Sequence, residues 1–194
     1  MAIHDKQHRS FASDNYSGAH PEVMQAIVDA NGGHQSAYGY DDYTIALQQR
    51  MRDEFGPKTE TFVVFNGTGA NVVALTAMMP RWGAVICSNL AHIETDEGGA
   101  PERVSGLKLF NVQHAHGKLT PESIATQVYD IGFEHRAQPM VVSITQTTEV
   151  GTVYTPSEIK AIADYCHENN LLLHLDGARI WNAAAALGVS FKEM

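Results

Sequence analysis

Short apolar runs alternate along this chain with longer segments in which apolar residues recur every three or four positions. The runs have strand length, are rich in branched and aromatic residues, and lie at 61–65, 84–87, 107–110, 140–144 and 171–175. Unbroken apolar runs are typical of strands buried on both faces, as in parallel sheets. The alternation therefore predicts an α/β fold in which a mostly parallel, mixed sheet is sandwiched by helices.

Helix start and stop signals mark three of the intervening segments. Thr155 and Glu158 have the spacing of a capping box, and an apolar face follows them. Pro21 suits a first helical position ahead of the apolar stripe at 23–28. Asp42 is expected to cap a third helix, which Gly56 and the proline after it would end.

The composition is that of an ordinary globular protein with more acidic than basic residues. With 194 residues, 44% of them hydrophobic and 18% charged, residues 1–194 are expected to fold as one compact domain. The net charge of −9 repels phosphate backbones and anionic membranes, which disfavours nucleic acid and membrane partners. No apolar stretch follows the charged amino terminus, so a cytoplasmic location is expected. Cys87 and Cys166 form no paired motif and are interpreted as buried apolar side chains.

The segment Gly67, Thr68 and Gly69 stands between the first apolar run and a helical segment. A helix start offers unpaired N–H groups and a positive dipole end, and glycines let the backbone approach an anion. The lysine of a Walker loop and the third glycine of a dinucleotide fingerprint are both missing. The segment is therefore either a phosphate cradle or a plain tight turn.

Asp176 follows an apolar run and should emerge at the carboxyl end of the sheet, where ligands of open α/β folds bind. It is either a ligand-binding carboxylate or a helix cap. Arg179 favours binding, because a guanidinium can hold a carboxylate bidentately near the same crevice.

Three histidines stand in polar surroundings. His92 precedes several acidic residues and could be a base, a metal ligand or a solvated loop residue. His114 and His116 are expected to lie in an exposed turn. Further metal ligands are not placed by the sequence, so no metal site is predicted.

Taken together in this order, the glycine segment, the histidine and the aspartate resemble pyridoxal phosphate (PLP) enzymes of the aspartate aminotransferase superfamily. Segments 11–24, 38–44, 67–71, 92–100 and 173–183 are similar to the low-specificity threonine aldolases, so the resemblance spans nearly the whole chain. It implies a PLP-dependent aldolase that cleaves L-threonine or L-allo-threonine to glycine and an aldehyde. Residues 143–147 depart from the family pattern, so the preference between the two stereoisomers stays open.

The resemblance also implies roles for the cofactor-binding candidates. Asp176 would pair with the pyridine nitrogen of PLP and keep it protonated. The amides of Gly67, Thr68 and Gly69, with the Thr68 hydroxyl, would hold the phosphate. His92 would stack on the ring.

Substrate-binding and catalytic roles follow from the same resemblance. Ser13 and Arg179 would bind the substrate carboxylate. His135 matches a second active-site histidine, and either it or His92 could accept the hydroxyl proton. A homo-oligomer, dimer or tetramer, is implied, with the region around Tyr38 and Asp41 near a neighbour's site.

The Schiff-base lysine of the family has no match among the six lysines of this chain. Family members carry it on a strand that would lie beyond residue 194. The resemblance therefore implies the large domain of such an enzyme without its small carboxy-terminal domain, and the 194 residues alone are not expected to be active. The rival hypotheses are a non-catalytic, cofactor-binding or oligomer-forming fragment and, within enzymes, an aminotransferase or a β-eliminating lyase.

Overall fold

The computed structural model describes residues 3–194, with residue 14 described by its backbone. The chain forms two compact units that divide between Leu47 and Gln48, where composition predicts a single one. Its helices and strands are α1 (Pro21–Ala30), α2 (Asp42–Phe55), α3 (Gly67–Met78), β1 (Gly83–Ser88), α4 (His92–Thr95), α5 (Ala100–Ser105), β2 (Lys108–Val112), α6 (Pro121–Ala125), β3 (Gln138–Thr145), α7 (Pro156–Glu168), β4 (Leu172–Asp176) and α8 (Ile180–Leu187). Short 3₁₀ helices cover Asp14–Tyr16 and Phe191–Glu193.

A four-stranded sheet in the order β2-β1-β3-β4 organises the second unit, and each pairing within it is parallel. Four of the predicted apolar runs form these strands. Since parallel strands begin at one edge of a sheet and end at the other, their carboxyl ends share one edge. The predicted α/β class with a parallel sheet is confirmed.

Both faces of the sheet are covered by helices, as the apolar strands require. One face packs against α3; this layer includes Leu75, Met79, Val85, Cys87 and Val141. The opposite face packs against α6 and α7; this layer includes Ile86, Ile124, Val142, Ile144, Ile159 and Ile162. Asp176, a site residue described below, stands on the α3 side, because Asn71 of α3 contacts its carboxylate.

The predicted strand at 61–65 is wrong. This segment is irregular, and Phe62, Val63 and Phe65 are largely exposed. The Gln48 side chain donates to the Thr61 carbonyl at 2.5 Å and accepts from the Thr61 amide at 3.1 Å. Apolar patterning indicates a preference for burial, but a strand also needs a neighbouring strand, and the sheet provides none here.

Helix ends follow the sequence signals closely, with one correction. The Thr155 hydroxyl accepts from the Glu158 amide at 3.3 Å, and the Glu158 carboxylate accepts from the Thr155 amide at 2.7 Å, which confirms the capping box. The cap of α2 is Asp41 rather than Asp42, because Asp41 Oδ1 accepts from the Thr44 amide at 2.8 Å. Asp42 is instead the first residue of the helix.

Both cysteines are buried and free, as interpreted. Burial raises the pKa of Cys87 to about 12 and that of Cys166 to about 11, so both thiols stay protonated and unreactive at neutral pH. His114 and His116 lie in a turn, where His114 Nδ1 accepts from the Gly117 amide at 2.7 Å. Across residues 3–194, the helices are all too short or too polar to span a bilayer.

Candidate functional site

Asp176 ends β4 beside Thr145, the last residue of β3. Its Oδ2 accepts from Asn71 Nδ2 at 3.1 Å, and its Oδ1 accepts from the Ala178 amide at 3.1 Å. The alternative role as a helix cap is not supported, because α8 begins at Ile180 with Arg179 at its N-cap. The carboxylate therefore stands at the carboxyl end of the sheet, held from α3 and from the turn that follows it.

The glycine segment is the first turn of α3 rather than a loop before it. Asn66 is the N-cap, and its Oδ1 accepts from the Gly69 amide at 2.8 Å. The Gly69 amide therefore already has a partner in the cap, and its role as a phosphate donor stays a prediction. The amides of Gly67 and Thr68 precede the first helical hydrogen bond and stay available for an anion. A side chain at Gly67 would meet nothing within 4 Å, so the approach to this helix start is open.

His92 is the first residue of α4, in the segment that follows β1. Its backbone amide donates to Glu149 Oε1 at 3.0 Å, and the same oxygen accepts from the Thr145 hydroxyl at 2.7 Å. The position of His92 is thus tied to the end of β3. Its side chain is 41% exposed, so part of the ring remains accessible to a ligand.

Glu97 and Asn71 belong to the same group of side chains, and sequence reasoning did not select them as site residues. Asn71 Nδ2 donates to Glu97 Oε1 at 2.6 Å, and the His92 Nδ1 lies 3.0 Å from that oxygen. Three acidic residues follow His92 closely, and the sequence holds no signal that separates Glu97 from Glu94 and Asp96. Only the three-dimensional structure shows that Glu97 is the one turned inward.

Arg179 is positioned by the backbone after β3. Its Nε and Nη2 donate to the Thr147 carbonyl at 3.2 and 3.0 Å. This contact places the guanidinium near the carboxyl ends of β3 and β4; its binding of a substrate carboxylate stays a prediction.

One predicted site residue of the second unit, His135, is not brought to this group. His135 is 77% exposed and lies just before β3, at the amino-terminal edge of the sheet, whereas Asp176 is at the opposite edge. Ser13 belongs to the first compact unit, where its hydroxyl accepts from the Asn15 amide at 3.2 Å. Their roles stay predictions. In the part of the chain described, no three histidine, cysteine or acidic side chains are arranged to hold a metal ion.

His174 is a buried histidine of β4 on the same strand face as Asp176. Its Nδ1 lies 2.9 Å from the Ser143 hydroxyl. Burial lowers the pKa of His174 below its ordinary 6.5, although the nearby negative charges of Asp176 and Glu97 act in the opposite direction. Desolvation is the larger effect, so the native state holds a neutral imidazole at this position.

This burial predicts a pH dependence of stability. Because the pKa is lower in the folded state, the unfolded chain binds a proton more readily, and His174 costs no stability above about pH 6.5. As the pH falls below that value and through the folded-state pKa, the free energy of unfolding should decrease by up to about 1.4 kcal/mol per pH unit.

Urea denaturation between pH 7.5 and 5 measures this slope. His174→Gln keeps a polar group beside Ser143 but cannot titrate, so its stability should depend less on pH in this range. The matched control is His167→Gln at an exposed position of α7, which should keep the wild-type slope. Equal slopes for the wild type and His174→Gln would contradict the prediction.

Comparison with known proteins places these features in a family context. The family model described as beta-eliminating lyase matches residues 10–194. The chain is 50% identical to the low specificity L-threonine aldolase of Pseudomonas aeruginosa over 100% of its own length and 56% of that protein. It is 35% identical to the corresponding enzyme of Saccharomyces cerevisiae, over 93% of this chain and 47% of the yeast protein.

A solved structure has a similar fold. The threonine aldolase of Leishmania major superimposes with a TM-score of 0.86 at 30% identity, covering 92% of this chain and 53% of that one. The chain thus spans about half the length of the curated relatives it matches.

Proposed function

The chain belongs to the beta-eliminating lyase family, and from this premise we propose that the full-length protein is a PLP-dependent aldolase. It would cleave L-threonine and L-allo-threonine, and related β-hydroxy-α-amino acids, to glycine and an aldehyde. The observation that carries the proposal is the Asp176 carboxylate, held by Asn71 of α3 at the carboxyl end of β4. The curated relatives named low specificity L-threonine aldolases, at up to 50% identity, support the choice of substrate.

The residues present fit PLP as a ligand. The free amides of Gly67 and Thr68 and the Thr68 hydroxyl suit a phosphate, and the open space at Gly67 lets it approach. The Asp176 carboxylate would pair with a protonated ring nitrogen, and the accessible ring of His92 would stack on the cofactor. When bound, PLP withdraws electrons from the α carbon of an amino acid.

The remaining steps belong to side chains of the protein. Arg179, with Ser13, would bind the substrate carboxylate and so fix which bond at the α carbon is broken. His92 would accept the proton of the β-hydroxyl as the bond between the α and β carbons breaks. His135 is the alternative base named by the sequence. The α carbon must take up a proton to give glycine, so the proposed reaction needs these groups to orient the substrate and to move one proton from the hydroxyl group to the α carbon.

The full-length product of the gene tests the proposal directly. With PLP and L-threonine it should release glycine and acetaldehyde in equal amounts, measured by amino acid analysis and by coupled reduction of the aldehyde. Omission of PLP from the apoprotein is the control. Release of ammonia and a 2-oxo acid instead would identify the β-eliminating lyase named by the family model, and transfer of the amino group would identify an aminotransferase.

The lysines of this chain favour the rival hypothesis for the 194 residues taken alone. Among the residues that the structure describes, no lysine contacts Asp176 or His92. Lys118 pairs with Glu158 and Lys160 with Asp164, while Lys108 begins β2 at the opposite edge of the sheet from Asp176. A polypeptide of these residues would bind PLP without a covalent link.

We therefore expect the 194-residue polypeptide, mixed with equimolar PLP, reduced with borohydride and dialysed, to keep its unmodified mass. The full-length protein treated in the same way should gain one cofactor per chain, because the family's lysine is expected there. Intact-mass spectrometry measures both. Stoichiometric attachment at a single lysine of the 194-residue polypeptide would contradict this expectation.

We further propose that the protein is a homo-oligomer, on the evidence of α1. Its apolar stripe, Val23, Met24, Ile27 and Val28, is 50–64% exposed, and the helix has no buried residue. An exposed apolar stripe of this kind is typical of an interaction surface. Tyr38, 98% exposed and in a left-handed conformation, is a second candidate for the interface.

Ile27→Glu places a charge in the stripe and should weaken self-association by at least about 100-fold, equivalent to about 2.7 kcal/mol. Ala26→Glu adds the same charge to the same helix outside the stripe and should leave association unchanged. Sedimentation velocity over a dilution series measures the change. A wild-type protein that is monomeric at micromolar concentration would contradict the proposal.

A further inference from the structure

Glu97 is a buried carboxylate that faces the candidate site. Its side chain is only 1% exposed, and its Oε1 lies 2.6 Å from Asn71 Nδ2 and 3.0 Å from His92 Nδ1. Within residues 3–194, its Oε2 is buried without a hydrogen-bond partner. Burying a carboxylate costs free energy unless hydrogen bonds or charges compensate for it. Because one oxygen of Glu97 has no partner among these residues, we examine whether the carboxylate has a functional role.

The contact with His92 determines where the ring carries its proton. Glu97 Oε1 is already an acceptor, since Asn71 Nδ2 donates to it, so the hydrogen between Glu97 and His92 belongs to Nδ1. A neutral imidazole has a single N–H, and its second nitrogen, Nε2, is then left with a free lone pair. Nε2 is therefore the atom of His92 able to accept a proton.

Asn71 holds the carboxylate in place for this contact. Its side-chain nitrogen has two hydrogens, one directed to Glu97 Oε1 and the other to Asp176 Oδ2. The Glu97 oxygen thus takes one hydrogen bond from Asn71 and one from His92. As a result, α3, the end of β4 and the segment carrying His92 share one continuous set of hydrogen bonds.

The His92 ring is also anchored from its backbone, because Glu149 accepts from its amide. With the backbone held by Glu149 and Nδ1 held by Glu97, the ring has both its place and its orientation defined. Its 41% exposure leaves the remaining part free to meet a ligand.

We propose that Glu97 is a positioning residue that holds His92 in the Nδ1–H tautomer, so that Nε2 is the nitrogen that takes the substrate's hydroxyl proton. The role of Nε2 in catalysis rests on the proposed function, whereas the tautomer is a property of the folded chain alone. The two parts can therefore be tested separately.

Nitrogen-15 spectroscopy of the histidine rings tests the tautomer without cofactor or substrate. In the labelled wild-type chain near pH 7.5, His92 should show a protonated Nδ1 and an unprotonated Nε2; a His92→Asn variant assigns its signals. A wild-type spectrum with the proton on Nε2 would overturn the proposal, whether or not any variant folds.

Two variants separate positioning from a purely structural role. Glu97→Leu fills a similar volume but removes the acceptor, so His92 should lose its preference for the Nδ1–H form. Glu97→Gln can place its amide oxygen where Oε1 stands and should retain the preference. Glu94→Leu, on the helix that begins at His92 but bonded to Asn111, is the matched control and should leave His92 unchanged. An unchanged tautomer in a folded Glu97→Leu protein would overturn the proposal.

Kinetics of the full-length protein complete the test. Glu97→Leu should lower kcat for threonine cleavage at least about tenfold with little change in KM, since a positioned general base contributes roughly 100-fold to 10,000-fold. Glu97→Gln should keep most of kcat. If the spectra agree with the proposal but the wild-type protein does not cleave threonine, the proposed function fails and the assignment of the His92 tautomer to Glu97 stands. If threonine is cleaved but the Glu97→Leu kcat is unchanged, the positioning role fails alone.

Discussion

Asp176→Asn should lower kcat for threonine cleavage by the full-length protein roughly 100-fold to 1,000-fold, the loss typical when a preorganised electrostatic partner is removed. A neutral amide cannot stabilise a protonated ring nitrogen as a carboxylate does. The fold should survive, because the amide oxygen can still accept from Asn71. The contact with the Ala178 amide is lost when the other atom becomes a donor, at a cost of about 1–3 kcal/mol.

The matched control for this substitution is Asp96→Asn. Asp96 is exposed and accepts from the Thr95 hydroxyl at 3.3 Å, in the same segment as His92, but it does not contact Asp176. The kcat of the Asp96→Asn variant should equal the wild-type value. Near-normal turnover in Asp176→Asn would contradict the pairing of Asp176 with the ring nitrogen and leave it with only a structural role in the turn before α8.

Ile162→Ala should lower the free energy of unfolding by about 2–5 kcal/mol. Ile162 is 1% exposed and packs α7 against the face of the sheet opposite the candidate site. Its truncation removes apolar contacts and leaves a cavity that a close-packed core closes only in part. This is a large share of the total stability of a typical domain.

Denaturation of the 194-residue polypeptide by guanidinium chloride measures this loss. Ile131→Ala makes the same chemical change at a position that is 65% exposed and should alter the stability by no more than about 0.5 kcal/mol. Equal effects of the two substitutions would mean that the α7 layer does not contribute to the core as the structure shows.

The sheet shows which strands the local pattern of apolar residues can predict and which it cannot. The runs at 84–87, 107–110, 140–144 and 171–175 became strands because each is apolar enough to be buried between two helical layers. The run at 61–65 has the same character and is not a strand, since the four-stranded sheet offers it no partner. Strand pairing depends on two segments, so the apolar pattern of one segment cannot predict whether it finds a partner.

The first unit shows a similar limit. Its apolar stripe on α1 correctly predicted a helix, and Pro21 correctly marked its start. The average composition nevertheless predicted one compact domain, because a composition does not record where burial occurs. In the structure, α1 has no buried residue and the chain divides into two units.

The sequence predicted the location of those site residues whose place depends on their position along a strand. Asp176 directly follows an apolar run, so its place at the carboxyl edge of a parallel sheet follows from the order of residues. The first turn of α3 could be recognised from its glycines, although only the cap at Asn66 showed that the Gly69 amide is already bonded. His135 shows the reverse, since its closeness to β3 in sequence puts it at the amino-terminal edge.

The sequence by itself thus determined the α/β class, four of the strands, the start of α1, the capping box of α7 and the place of Asp176 at the carboxyl edge of the sheet. Tertiary structure alone decided that Glu97, rather than Glu94 or Asp96, turns inward, and that Asn71 contacts both Glu97 and Asp176, the latter 105 positions further along the chain. The physical reason is the separation along the sequence over which each interaction acts. Capping and apolar periodicity act between residues within one or two turns, whereas a buried hydrogen bond depends on which distant segments the packed core brings within about 3 Å of each other.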